Sequence, residues 1–215
     1  MARVPYRKGR NTLTIPGCSF FGRGTESVIG EITPAYALLD KSGLIEMSGL
    51  HSDVRFIYIL RDPLDRFRSA MSYFSSRGAS ASGGNMGKLA ETSSAASEWA
   101  KNHLRHSQYE KTINVIDSVI DPAKVHYCFF ETMRRKSEIE KVCEFLSVDP
   151  TSITLPGKVN ASKPSNASIP DQILNNIRRE LAATYKFCSE KFKDIPDEWQ
   201  DSMNKLQSRP AAAMQ

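Results

Sequence analysis

The chain has 215 residues, of which 40% are hydrophobic, and this is enough to bury a core within one globular domain. Its formal charge of +5 is local: Met1 to Gly30 holds Arg3, Arg7, Lys8, Arg10 and Arg23 against Glu26 alone. The other 24 basic residues face 23 acidic ones, so the body lacks the basic footprint of a nucleic-acid binder. Cys18, Cys128, Cys143 and Cys188 are widely spaced, with no CxxC or Cys/His pair, which argues against a disulfide framework and a metal site.

Residues 1–29 read as a basic arm of Gly, Arg and Ser with short apolar pieces, and the start carries no signal-peptide apolar core. No apolar run approaches the roughly 20 residues of a membrane span, so the expectation is a cytoplasmic protein with no membrane partner. Residues 30–207 form the expected α/β domain and 208–215 a frayed tail. Within the domain, Gly30-Glu31-Ile32-Thr33-Pro34-Ala35-Tyr36 leads into Ala37 to Leu50, where the apolar spacing predicts a short helix or two, broken near Gly43. Arg55 to Leu60 is almost continuously apolar, as expected of a strand covered on both faces. Pro63 suits a first helical position with Asp62 as cap and Asp65 in the first turn, and this helix runs to about Phe74. Ser75 to Ser97, Ser/Ala/Gly-rich, reads as a long ligand-facing loop.

Glu98 to Ile120 has helical apolar spacing, Val125 to Phe130 is a second buried strand ended by Glu131, and Ser137 to Leu146 is an amphipathic helix. Pro150 to Ser168 is irregular, and Asp171 to Lys191 is the expected final helix. Strands alternating with helices imply a parallel sheet flanked by helices.

In such sheets ligands sit beyond the carboxyl ends of the strands, where helix N-termini offer free N–H groups and partial positive charge. A strand ending at Arg61 beside a helix starting at Pro63, with Ser69 further along it, makes an anion pocket, most naturally for phosphate. The competing reading is an Arg paired to Asp62 or Asp65 in a capped turn. Glu31 by itself reads as a solvated turn residue, Lys158 as a surface lysine in a loop, Glu131 as a carboxylate bonded to backbone at a strand end, and Tyr109 as a packing residue. His51, His103, His106 and His126 are scattered without nucleophile or metal spacing. Asn160-Ala-Ser162 and Asn166-Ala-Ser168 fit the glycosylation pattern by chance.

"YILRDPLDRFRSAMSYF" resembles the 3'-phosphate-binding segment of sulfotransferases that use 3'-phosphoadenosine 5'-phosphosulfate (PAPS). "GEITPAY" is similar to the segment carrying the catalytic Glu in bacterial and heparan-modifying members. "HSQYEKTINVI", "VHYCFFETM" with "EKVCEFLSV", and "PGKVNASKP" follow in family order, resembling the Tyr-bearing helix, the strand ending in Glu with its helix, and the late Lys-containing loop over the nucleotide. The resemblance runs from about Gly30 to Tyr185. It implies a P-loop NTPase-like sulfotransferase fold, with PAPS as donor substrate and a carbohydrate or small-molecule acceptor. Arg61 and Ser69 would bind the 3'-phosphate, Lys158 and Asn160 would lie near the nucleotide, and Glu31 would be the base.

The family pattern begins with a strand and a Gly-rich loop that wraps the 5'-phosphosulfate. The nearest look-alike, Phe21-Gly22-Arg23-Gly24-Thr25-Glu26, sits too close to Glu31 for a helix to fit between them. The expectation is a fold incomplete at its N-terminus, either a sulfotransferase with a shortened start or a non-catalytic nucleotide-binding relative or interaction module.

Overall fold

A computed structural model of the protein describes residues 28–71, 101–153 and 171–207. Lys158, Asn160, the Phe21 to Glu26 look-alike, the 75–97 loop and the 208–215 tail lie outside the described residues.

Strands β1 (Phe56–Leu60) and β2 (Val125–Phe129) pair in parallel, from Phe56 opposite Val125 to Leu60 opposite Phe129. This is the pairing that the strand–helix alternation predicts. The Phe130 N–H donates to the Leu60 carbonyl at 2.7 Å and carries the ladder one residue past the strands. In chain order the helices are α1 (Lys41–Ser48), α2 (63–71), α3 (101–105), α4 (Tyr109–Val119), α5 (Lys136–Leu146), α6 (Asp171–Lys191) and α7 (Asp197–Gln207). A 3-10 turn, Pro34–Leu38, precedes α1.

Alternation of side chains along the strands sends Tyr58, Tyr127 and Phe129 to one face. There they meet Tyr109 of α4, Phe192 and Trp199 of α7 edge-on, with ring centroids 5.3 to 6.2 Å apart. Leu60, Phe67, Ile113, Leu181 and Trp199 are fully buried in this core. On the other face α5 covers β2, with Phe145 stacked on His126 at 5.3 Å and Cys128 buried. Ile57 and Ile59 share that face by register yet are 37% and 40% exposed. The expectation that β1 is covered on both faces is therefore corrected, because α5 packs under β2 alone among the described residues.

Three further boundaries move for identifiable reasons. Gly43 lies inside α1, not at a break; the break falls at Leu39 and Asp40, where the Asp40 carboxylate accepts the Gly43 N–H at 2.9 Å and starts the helix. The segment expected as one helix to Ile120 is interrupted between α3 and α4, with Gln108 out of helical geometry (φ −86°, ψ 68°). That interruption turns the fully buried Ser107 and Tyr109 toward α2 and β1. Finally, α6 is not the last helix: α7 follows it and delivers Trp199, which stacks on Tyr109 at 6.1 Å.

The front of β1 is tied to the end of α5. Ser147 takes the left-handed conformation (φ 58°) that closes α5, and the Arg55 guanidinium donates to the Phe145 carbonyl and to the Ser147 hydroxyl.

Candidate functional site

The sequence Arg61-Asp62-Pro63 sits where β1 stops and α2 begins. Asp62 caps the helix as expected, its Oδ1 accepting the Asp65 N–H at 2.8 Å. It is 1% exposed, and the Tyr185 hydroxyl lies 3.0 Å from both of its oxygens. Burial raises the Asp62 pKa against the opposing effect of these hydrogen bonds. Asp65 pairs instead with Arg68 at 3.2 Å. Neither acid takes the Arg61 guanidinium, so the reading of a self-paired Arg–Asp turn fails.

The Arg61 backbone is held at both ends by one hydroxyl: Tyr109 Oη accepts its N–H at 3.3 Å and donates to its carbonyl at 2.8 Å. Its guanidinium lies over the Phe130 ring, 5.0 Å from the centroid, and pairs with no carboxylate among the described residues. A cation held by an aromatic face alone keeps its charge for an anion. Glu131 extends the ladder by side chain, its Oε1 accepting the Asp62 N–H at 2.8 Å, as expected of a backbone-bonded carboxylate. Its Oε2 is buried without a partner among the described residues.

Ser69 stands six residues after Pro63, half-buried and without a hydrogen-bond partner among the described residues. Arg66, one turn before it, escaped the sequence reading. Its Nη1 donates to the His103 carbonyl at 3.1 Å and to the Ser107 hydroxyl at 3.3 Å. The available signal was the i, i+3 spacing that puts Arg66 and Ser69 on one helical face.

Glu31 lies before the 3-10 turn, with Oε1 accepting from Thr33 Oγ1 and Oε2 from the Tyr36 hydroxyl, both at 2.6 Å. These two donors fix the orientation of the carboxylate. The turn itself is docked on α4, where Thr112 Oγ1 donates to the Ala37 carbonyl at 2.6 Å. Thr112 follows Tyr109 by three residues, about one helical turn or ~5 Å. Neighbouring turns of α4 therefore contact both the 3-10 turn that follows Glu31 and the Arg61 junction.

His103 and His106 face each other at 6.4 Å behind Arg66. Burial, then the neighbouring Arg66 charge, lowers both, His106 to about 4, so both are neutral at pH 7. Burial also lowers His126. Among the described residues no cluster of three His, Cys, Asp or Glu could hold a metal ion, and no helix is long and apolar enough to cross a membrane.

The molecule is thus a parallel α/β protein with a cationic corner, unpaired by any carboxylate among the described residues, at the carboxyl end of its first described strand. Its sequence matches the sulfotransferase domain model over residues 41–208, and the chain belongs to that family. Arg61, Ser69, Lys158 and Asn160 fall inside the matched span, and Glu31 falls ahead of it. No curated protein matches the chain significantly. Among solved structures it is similar to a sulfotransferase from Alicyclobacillus acidocaldarius, at 16% identity and a TM-score of 0.45; the match covers 81% of this chain and 61% of that one.

Proposed function

We propose that the protein is a sulfotransferase that moves a sulfuryl group from PAPS to a hydroxyl or amine of a carbohydrate or small-molecule acceptor. The observation that carries this reading is the Arg61 guanidinium, set at a strand end beside a helix start, backbone-locked by Tyr109 and free of any carboxylate among the described residues. Family membership and the match over residues 41–208 support it.

In this reading Arg61 and Ser69 bind the 3'-phosphate at the start of α2, where the helix dipole favours negative charge. Lys158 and Asn160 belong to a loop beside the nucleotide. Residues 30–207 form the working domain. The acceptor oxygen or nitrogen attacks sulfur in line as the bond from sulfur to the bridging phosphate oxygen breaks. Glu31 takes the proton the nucleophile loses, and fixed donors neutralise charge on the departing phosphate. Thr33 and Tyr36 hold the Glu31 carboxylate in one orientation, which keeps the base in place through the transfer.

Calorimetric titration with adenosine 3',5'-bisphosphate tests the binding half. Arg61→Ala is expected to weaken affinity on the order of 10- to 100-fold, the worth of a charged hydrogen bond. Glu31→Gln is expected to cut turnover roughly 100-fold or more while leaving bisphosphate affinity unchanged. Affinity indifferent to Arg61→Ala, or turnover indifferent to Glu31→Gln, overturns the assignment. Bisphosphate binding without transfer to any acceptor places the chain among non-catalytic nucleotide binders.

A further inference from the structure

Arg66 has a feature the proposed chemistry does not use. It is half-buried, and the only side-chain hydrogen bonds it makes among the described residues run from Nη1 to two neutral acceptors, the His103 carbonyl and the Ser107 hydroxyl. Ser107 is itself fully buried, so this end of the guanidinium is pinned to rigid structure. The opposite edge, Nε and Nη2, has no hydrogen-bond partner among the described residues and is not wholly buried. A guanidinium pinned in this way is prepared to take a bidentate oxyanion on that edge.

Among the described residues its surroundings supply no counter-charge. Tyr58, Tyr109, His103 and His106 lie around it, and burial, with a lesser repulsion from Arg61, lowers its pKa. Arg61 directly precedes α2 and Arg66 lies within its first turns, with no carboxylate paired to either among the described residues, and Ser69 stands one turn beyond Arg66 on the same face. Two cations flanking one helix start, one of them partly desolvated, both favour an anion bound there.

We propose that Arg66 is a second phosphate ligand, sharing with Arg61 the doubly charged terminal phosphate at this corner and thereby selecting nucleotides that carry it over those that lack it. This role rests on the reading of the Arg61 corner as the 3'-phosphate site. A phosphate monoester carries about −1.5 to −2 charges at pH 7, which one guanidinium leaves half neutralised and two balance. The discrimination between a 3'-phosphorylated nucleotide and its 3'-hydroxyl counterpart then depends on both arginines. A residue that merely stitched α2 to the 103–107 turn would affect stability and leave that discrimination alone.

The test titrates adenosine 3',5'-bisphosphate and adenosine 5'-monophosphate against the full chain and its Arg61→Ala, Arg66→Gln and Arg66→Lys variants, with a thermal melt of each. Arg66→Gln is expected to weaken the bisphosphate on the order of 10- to 100-fold while leaving the monophosphate unchanged. Arg66→Lys is expected to recover part of the loss, since Lys keeps the charge but lacks the fork. Loss of both ligands in equal proportion, or of neither, while Arg61→Ala still lowers their affinity ratio, overturns the role of Arg66 and leaves the proposed function standing. A ratio insensitive to Arg61→Ala as well brings down the proposed function with it. If Arg66→Gln does not fold, Ser107→Ala decides, because it removes one anchor of the guanidinium: a lowered ratio supports the proposal and an unchanged ratio overturns it.

Discussion

Tyr109 closes a small circuit in which one phenol satisfies both backbone groups of Arg61. Those groups lie where the ladder ends, and a buried backbone N–H left unpaired costs roughly 1–3 kcal/mol. Tyr109→Phe is expected to lower stability by about that amount and to weaken adenosine 3',5'-bisphosphate binding, measured by chemical denaturation and calorimetry on the same preparation. Asp62 and His106 give opposite signatures with pH. The folded pKa of Asp62 is raised, so its contribution to stability is present in acid and is lost as pH rises through the raised value. That of His106 is lowered from 6.5 to about 4, so its contribution is present above 6.5 and is lost as pH falls toward 4. Against the wild type, His106→Asn is expected to gain melting temperature as pH falls from 6.5 toward 4, and Asp62→Asn to lose it as pH falls through the raised Asp62 value. Parallel slopes for the two variants would contradict this assignment.

At the scale of elements, α4 is the bench on which the site is assembled. Tyr109 at its first turn fixes the β1–α2 junction, Thr112 one turn on fixes the Glu31 segment, and Ile113 and Ile116 bury its inner face. Thr112→Val keeps the shape of the side chain and removes the bond to Ala37. If Glu31 is the base, this substitution is expected to lower kcat several-fold while bisphosphate affinity stays unchanged. A fall in affinity with kcat intact would show that α4 serves the phosphate corner alone. The helix was legible from its apolar spacing, but its start was not. Residues 101–119 carry a continuous helical pattern, and the break before Tyr109 exists because Ser107 and Tyr109 must point at Arg66 and Arg61. No local propensity encodes that requirement.

Across the whole molecule, α7 completes the core from the far end of the described chain. Trp199 is fully buried against Tyr109, Phe129 and Tyr185, which come from three other elements. Trp199→Ala is expected to cost roughly 3–5 kcal/mol in denaturant unfolding. Burial also shields the thiols, Cys188 in this core and Cys128 on the opposite face of β2, pushing Cys128 up to about 11 and Cys188 to about 12. Both are expected to resist alkylation at pH 8 until the protein unfolds, a result that mass-spectrometric labelling would read directly.

The sequence by itself determined the parallel α/β class, the capped turn after β1, and a strand end carrying Arg61 with Ser69 on the following helix. These features follow from short-range periodicity and from the conformational habits of Asp and Pro, which act over a few residues. Only the tertiary structure decided that Asp62 turns to Tyr185 and leaves Arg61 without a carboxylate among the described residues, that Arg66 reaches Ser107, that one face of β1 stays open, and that a polar-looking segment near residue 199 seats the largest side chain of the core. Each of these depends on partners tens of residues away, where side-chain contact and desolvation, not local pattern, set the outcome.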